Sequence, residues 1–364
     1  MYTTELADEA CRDVREVGGK ALGLAEMVAD ELPVSPAFTV VAAAYRAFLA
    51  QGDLRAQLDG ILGNIAKPGD GAAYDKAERD ILAVLGQTPL PSDVADQVRT
   101  SYEKLCRDTG VPDVAVAVRS SATAEDSVAT SFAGEFETWV DIVGTADVLE
   151  HVRKCYLSVF SSRVLSYVAM KEIDPYSIEM AVVIQKTVRA RAAGVMFTIS
   201  PTSGDRSKIV LEANWGLGLS VVGGEVTPDR YVVEKVGLVV AERIMGDKRV
   251  EYRRGDALVE VPEDRRDAFC LTDAEVLALA RFGKRLERLH GGAQDIEFAV
   301  DEELPDGSNL VLLQCRPETV WSNARRGPVF DPGGSVMSWI SGSITGTNGG
   351  TYGAVDATHT SSTH

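Results

Sequence analysis

Four side chains late in this 364-residue sequence offer the most chemistry: Asp295 and Glu297, two residues apart, and Gln314 and Arg316, spaced the same way. Residues two apart on a strand share a face. Gln294 to Val300 alternates polar and apolar residues as a half-buried strand does, and Asn309 to Arg316 is apolar until its last residues. Asp301 to Ser308 between them carries acids, Pro305 and Asp306-Gly307, the chemistry of a turn. Folded back as a hairpin, the two arms bring two carboxylates, an amide oxygen and a guanidinium to one patch. Oxygen donors such as Asp295, Glu297 and Gln314 suit a hard cation like Mg²⁺, which also keeps waters and substrate phosphates. The planar fork of Arg316 suits a phosphate. A solvated hairpin whose acids simply pair with its arginine would show the same alternation, and periodicity does not choose between the two.

Other anion-binding candidates lie earlier. Val17-Gly18-Gly19-Lys20 precedes a predicted helix from Ala21 to Asp30, and glycines before a helix start leave backbone N–H groups open to an anion. It is not a P-loop: Ala21 stands where Ser or Thr is required. Val114 to Val118 predicts a buried strand that runs into Arg119-Ser120-Ser121, so an arginine at its end could meet phosphate. A turn into a capped helix fits the same string. Gly134 permits close backbone approach, and Thr138 offers a hydroxyl or N–H to phosphate.

The elements that must position these groups can be read more coarsely. Residues 51 to 110 read as helices broken by Gly, Pro and Asp, and His151 to Met170 as one amphipathic helix. Met180 to Lys186 reads as a strand linking two lobes, of the kind that serves adenine sites. Thr272 to His290 is the clearest helix, opened by the capping box Thr272-x-x-Glu275 and stopped by Gly291-Gly292. His151 and His290 read as structural. After Pro317 the chain turns Gly-, Ser- and Thr-rich, which predicts a flexible tail or a docking segment.

Bulk properties narrow the class. The length allows two lobes. A net charge of −17, from 54 acids against 37 bases, argues against nucleic-acid and anionic-membrane partners. Five scattered cysteines form no CxxC pair, there is no signal-like N-terminus, and no apolar run reaches membrane-spanning length. The expectation is a cytoplasmic protein.

Several strings together carry a resemblance: Val17-Gly18-Gly19-Lys20-Ala21-Leu22-Gly23-Leu24, Val118-Arg119-Ser120-Ser121-Ala122-Thr123-Ala124-Glu125-Asp126, Gln294-Asp295-Ile296-Glu297, and Leu312-Leu313-Gln314-Cys315-Arg316-Pro317. Over roughly residues 16 to 321 the chain resembles the ATP-binding domain of phosphoenolpyruvate synthase, pyruvate phosphate dikinase and rifampin phosphotransferase. It departs from the pattern at Glu135, where the family usually has glutamine. The resemblance implies an α+β, two-lobed ATP-grasp-like fold, with residues 1–185 as the first lobe, 186–322 as the second and 323–364 as the tail. It implies ATP and Mg²⁺ as cofactors and nucleotide contacts from Lys20, Arg119, Gly134, Thr138, Gln185, Glu297, Gln314 and Arg316. Glu297 and Gln314, with Asp295, would hold the metal, while Lys20, Arg119 and Arg316 would neutralise the phosphates in transfer.

The family's phosphohistidine and acceptor domains do not appear in the sequence. The resulting expectation is the ATP-binding subunit of a split dikinase, similar to phenylphosphate synthase, acting on a histidine of a partner subunit that binds the small-molecule acceptor. Phenol would be the first acceptor and pyruvate the second. A split or truncated phosphoenolpyruvate synthase, an antibiotic phosphotransferase and a non-catalytic ATP-sensing module are the alternatives.

Overall fold

A computed structural model of the chain describes residues 1–63, 65, 71–123, 126–127, 130–131, 136–253 and 257–321. Residues 1–322 form one compact unit, and the second unit, 323–364, lies outside the described residues, as does Gly134.

Two antiparallel sheets organise the compact unit. The first orders its strands Thr3–Glu5, Ala37–Val40, Met180–Lys186, Val116–Ala122 and Thr138–Ile142. The period of two on its strands divides their side chains between two surroundings. Val116, Val118, Val182 and Ile184 enter a core with Tyr45, Phe48, Tyr102 and Tyr156, contributed by the helices Ala42–Leu49, Ser92–Thr109 and Thr145–Ser158. Val183 faces the other way, into a second core. Ala117, Arg119 and Ser121 alternate with the buried valines of their strand. Arg119 lies opposite Val183 in register and Ala117 opposite Gln185, so these polar residues share the face of Val183.

The second sheet runs in the order Val239–Ile244, Asp229–Glu234, Lys208–Trp215, Ala190–Phe197, Gln294–Asp301 and Leu310–Pro317. One of its faces, with Met196, Leu211, Tyr231, Ile296 and Phe298, is covered by Val276, Leu279, Ala280 and Leu286 of the helix Asp273–His290. That helix has the expected capping box between Thr272 and Glu275, and Gly291 ends it in the left-handed conformation at φ 68°.

The helix Val14–Ala29 joins the two sheets. Its Val17, Ala21, Leu24 and Met27 are buried with Val183 of the first sheet and with Ile296, Leu312 and Cys315 of the second. Ion pairs from Asp30 to Arg285 (2.5 Å) and Glu26 to His290 (3.5 Å) tie it to the long C-terminal helix. A bridge between Val34 and Leu312, with Leu312 N–H donating to the Pro33 carbonyl at 2.7 Å, adds a direct seam.

The structure revises three local expectations. The helix expected to begin at Ala21 begins at Val14, but Gly18 interrupts it with φ 73° and ψ 171°. The helix expected over 151–170 is two, Thr145–Ser158 and Ser162–Met170, because Ser161 caps the second by accepting from Val164 N–H. Met180–Lys186 is the middle strand of the first sheet, and residues 187–189 are the link to the second.

Candidate functional site

The predicted hairpin forms, and its register gives the site its order. Asp295 lies opposite Arg316 and Glu297 opposite Gln314 in the antiparallel pair Gln294–Asp301 and Leu310–Pro317. Cross-strand partners share a face, so all four side chains emerge on the surface opposite the packed helix. Immediately beyond, the register slips: Phe298 pairs with Leu312, and Leu313 is left over as a bulge. A bulged residue has no ladder partner for its backbone groups. Here the Leu313 carbonyl accepts from Arg119 Nη1 at 2.7 Å.

Arg119 is the meeting point of the two sheets. It is 9 % exposed, and its four bonds use both terminal nitrogens. Nη1 also donates to Gln185 Oε1 at 3.2 Å, while Nη2 donates to Glu297 Oε2 at 3.0 Å and to Gln314 Oε1 at 2.7 Å. Two buried donors, Arg119 Nε–H and Gln185 Nε2, find no partner among the described residues. A buried unsatisfied donor is costly in a native protein and calls for an explanation. An anionic or carbonyl-bearing ligand in the adjoining cleft supplies one.

Lys20 comes from the first-sheet side. Gly18 allows it, since a Cβ there would sit 2.1 Å from the Ser121 carbonyl oxygen, and its positive φ favours glycine. The Ser121 hydroxyl donates to the Val17 carbonyl at 2.8 Å and accepts from Ala21 N–H at 3.2 Å, which stitches the loop to the strand carrying Arg119. The Lys20 ammonium donates to the Ser120 carbonyl at 2.9 Å, one residue from Arg119. Thr138 is exposed and opposite Arg119 in register.

Two cavities flank this junction. One, of about 220 Å³, is lined by Arg119, Thr138, Gln185, Glu297 and Leu313 and by the link residues Thr187 and Val188. Its floor is formed by Val188, Ala193 and Ala299 of a small apolar cluster backed by Val311, a surface of the kind that covers the face of a planar base. The other, of about 240 Å³, contains Asp295, Glu297, Gln314, Arg316 and Glu212. A larger cavity of about 600 Å³ opens on the far side of the link. Its basic side chains are already paired, among them Arg189 with Glu302, Arg191 with Glu275 and Arg265 with Glu251.

Sequence reasoning passed over Glu212. Glu212 lies opposite Val195, which lies opposite Glu297, so its carboxylate joins the hairpin acids on one face. The only local signal was a lone acid within the apolar Ile209-Val210-Leu211-Glu212-Ala213 run. Burial pushes the Asp295 carboxyl up to about 6, with Arg316 at 3.7 Å opposing the shift and Glu318 adding to it. Asp295 Oδ1 is buried without a partner. This donor set of carboxylates and an amide oxygen fits a hard cation. Among the described residues no group of three or more His, Cys, Asp or Glu forms a ready metal cage. A Mg²⁺ held by one or two protein oxygens and by phosphates does not need one.

The structure therefore brings Arg119, Gln185, Glu297 and Gln314 into direct contact. It sets Asp295 and Arg316 beside them, holds Lys20 of the helix Val14–Ala29 against Ser120 of the Arg119 strand, and places Thr138 opposite Arg119 on the neighbouring strand.

Residues 14–332 match the family model described as pyruvate phosphate dikinase, AMP/ATP-binding domain. Phosphoenolpyruvate synthase of Aeropyrum pernix is 40% identical over 347 residues, covering 87% of this chain and 42% of that protein. Probable phosphoenolpyruvate synthase of Methanocaldococcus jannaschii is 37% identical, covering 86% of this chain and 26% of that protein. The chain thus spans less than half the length of these relatives. D-alanyl-alanine synthetase A from Vibrio cholerae overlays 76% of this chain and 66% of its own at 9% identity and a TM-score of 0.28, too slight a likeness to carry an argument. With the family model covering most of its length, the chain, an α+β protein, belongs to the pyruvate phosphate dikinase AMP/ATP-binding domain family.

Proposed function

We propose that this chain is the ATP-binding part of a dikinase-type phosphotransferase that delivers a phosphoryl group from ATP to a histidine on a partner subunit. The supporting observation is the buried junction where Arg119 meets Gln185, Glu297 and Gln314, with two unpartnered donors beside a cleft floored by small apolar residues. In the balanced reaction, ATP, water and the partner's histidine give AMP, inorganic phosphate and a phosphohistidine. The apolar floor takes the base, and Gln185 and the link at 187–188 lie beside it. Lys20, Arg119 and Arg316 offset the charge that the phosphates carry in transfer. Glu297 and Gln314, with Asp295, would hold Mg²⁺, which when bound supplies further neutralisation of the phosphate oxygens. The two described histidines are engaged elsewhere, His151 with the Asp147 carbonyl and His290 with Glu26, so the accepting histidine comes from outside the described residues.

The names of the relatives make pyruvate the first acceptor to test, through the partner's phosphohistidine, with phenol and an antibiotic as the other arms. The isolated chain should bind Mg-ATP and release AMP only when a histidine-bearing partner is present. No AMP under either condition would support a sensing module instead. Lys20→Ala and Arg316→Ala should each weaken Mg-ATP binding in calorimetry by about tenfold or more, since bonds to a charged group contribute about 1.5–3 kcal/mol. Unchanged affinity in both would remove the site assignment.

A further inference from the structure

The oxygens that would ligate a metal are already occupied by a cation of the protein. Glu297 Oε2 and Gln314 Oε1 accept from the same nitrogen, Arg119 Nη2, at 3.0 and 2.7 Å. Nη1 is held on the other side by the Leu313 carbonyl and Gln185. All four terminal N–H bonds of the guanidinium are thus directed at protein acceptors, and only the buried Nε–H has no partner. A divalent ion on those two oxygens would lie within contact range of a like charge, which is unfavourable at any protein dielectric. Arg119 Nη2 and a metal on Glu297 Oε2 and Gln314 Oε1 therefore compete for the same two oxygens.

Resting on the ATP and Mg²⁺ reading above, we infer that Arg119 is a stand-in cation: it fills the metal position between Glu297 and Gln314 until nucleotide arrives. The triphosphate then draws Nη2 onto its own oxygens and releases the two ligands to the metal. Phosphate is the stronger attractor for a guanidinium fork, whereas a free metal ion offers Arg119 no replacement partner. Metal and nucleotide therefore bind as one unit, and metal alone is excluded. The first-sheet strand supplies the stand-in and the second-sheet hairpin supplies the ligands, so the same contact joins the two sheets.

The test is Mn²⁺ binding to the full chain, followed by electron paramagnetic resonance, with and without a non-hydrolysable ATP analogue. Wild type should bind Mn²⁺ at this site only with the analogue. Arg119→Met should bind Mn²⁺ without nucleotide about tenfold or more tighter than wild type, because an uncompensated carboxylate is left facing the cavity. Glu297→Gln in the Arg119→Met background should abolish that gain. Arg119→Lys, which keeps one charge but not the fork, should show a smaller gain and serves if the methionine variant fails to fold. Thermal melts verify the fold of each variant. Tight nucleotide-free binding by wild type, no gain in either folded variant, or a gain that survives Glu297→Gln overturns the inference. If wild type binds Mn²⁺ with the analogue while the variants gain nothing, the inference alone fails. If wild type binds neither analogue nor Mn²⁺, the ATP and metal reading fails with it.

Discussion

Asp295 shows how a single carboxylate is set for binding at some cost to the fold. Burial raises its pKa from 3.8 to about 6, so the folded protein holds this proton more tightly than the unfolded chain does. The sign follows by linkage. The fold suffers no penalty below the ordinary carboxylate pKa and loses stability as pH rises from about 4 through 6. Asp295→Asn should therefore raise the melting temperature of the nucleotide-free protein at pH 8 but not at pH 3.5. The ceiling is about 3 kcal/mol, from 1.36 kcal/mol per pKa unit, and partial exposure lowers it. Equal melting shifts at both pH values would contradict this account. At this scale the sequence was legible where the pattern was local. Asp295, Glu297, Gln314 and Arg316 announced their shared face by their spacing. Glu212 did not, because its partners sit on two other strands and a lone acid in a strand carries no signal of them.

The element scale turns on Gly18. Its interruption of the first helix lets the chain pass against Ser121 and sets Lys20 beside Ser120. Gly52 has a positive φ of 52° as well, but a Cβ there would meet nothing within 4 Å. Gly52→Ala should cost only the backbone penalty, about 1–2 kcal/mol in urea denaturation. Gly18→Ala adds a collision with backbone and should cost about 2 kcal/mol more than Gly52→Ala. It should also weaken nucleotide binding, which Gly52→Ala should leave alone. Similar losses in the two variants would mean that the close approach to Ser121 is not what fixes the loop. The glycine pair and the strand before Arg119 were each readable as motifs. Their joining was not, since the Ser121 bonds reach across 100 and 104 residues and no periodicity encodes them. The break at Ser161 could have been read, because a serine three residues before Val164 is an ordinary helix start. The long apolar pattern of 151–170 hid it.

For the molecule as a whole, the compact unit encloses most of its thiols. All five cysteines are free, with Cys11, Cys155, Cys270 and Cys315 buried and Cys106 partly exposed. Burial raises the thiol pKa at all four buried positions, to about 12 at Cys315. A disulfide-exchange reagent at pH 8 should titrate about one thiol per native chain and five after denaturation, as expected when thiolate fraction and access control reactivity. Fast reaction of several native thiols would mean that the cores open readily. Among the described residues no helix is long and apolar enough to cross a membrane, as composition anticipated. Single strands such as Met180–Lys186 and the closing hairpin were legible from their patterns, whereas the two-sheet layout and the role of the first helix in both cores were not, because an amphipathic stripe does not name what it packs against. The bond from Lys20 to the Ser120 carbonyl has a further consequence, because Ser120 and Arg119 are neighbours on one strand. That bond ties the helix packed in both sheets' shared core to the strand of Arg119, while Asp295, Glu297, Gln314 and Arg316 lie on the opposite sheet. If the sheets part to admit or release a ligand, the helix that carries Lys20 is pulled from both sides, so opening of the centre is coupled to that helix rather than to the six side chains one by one.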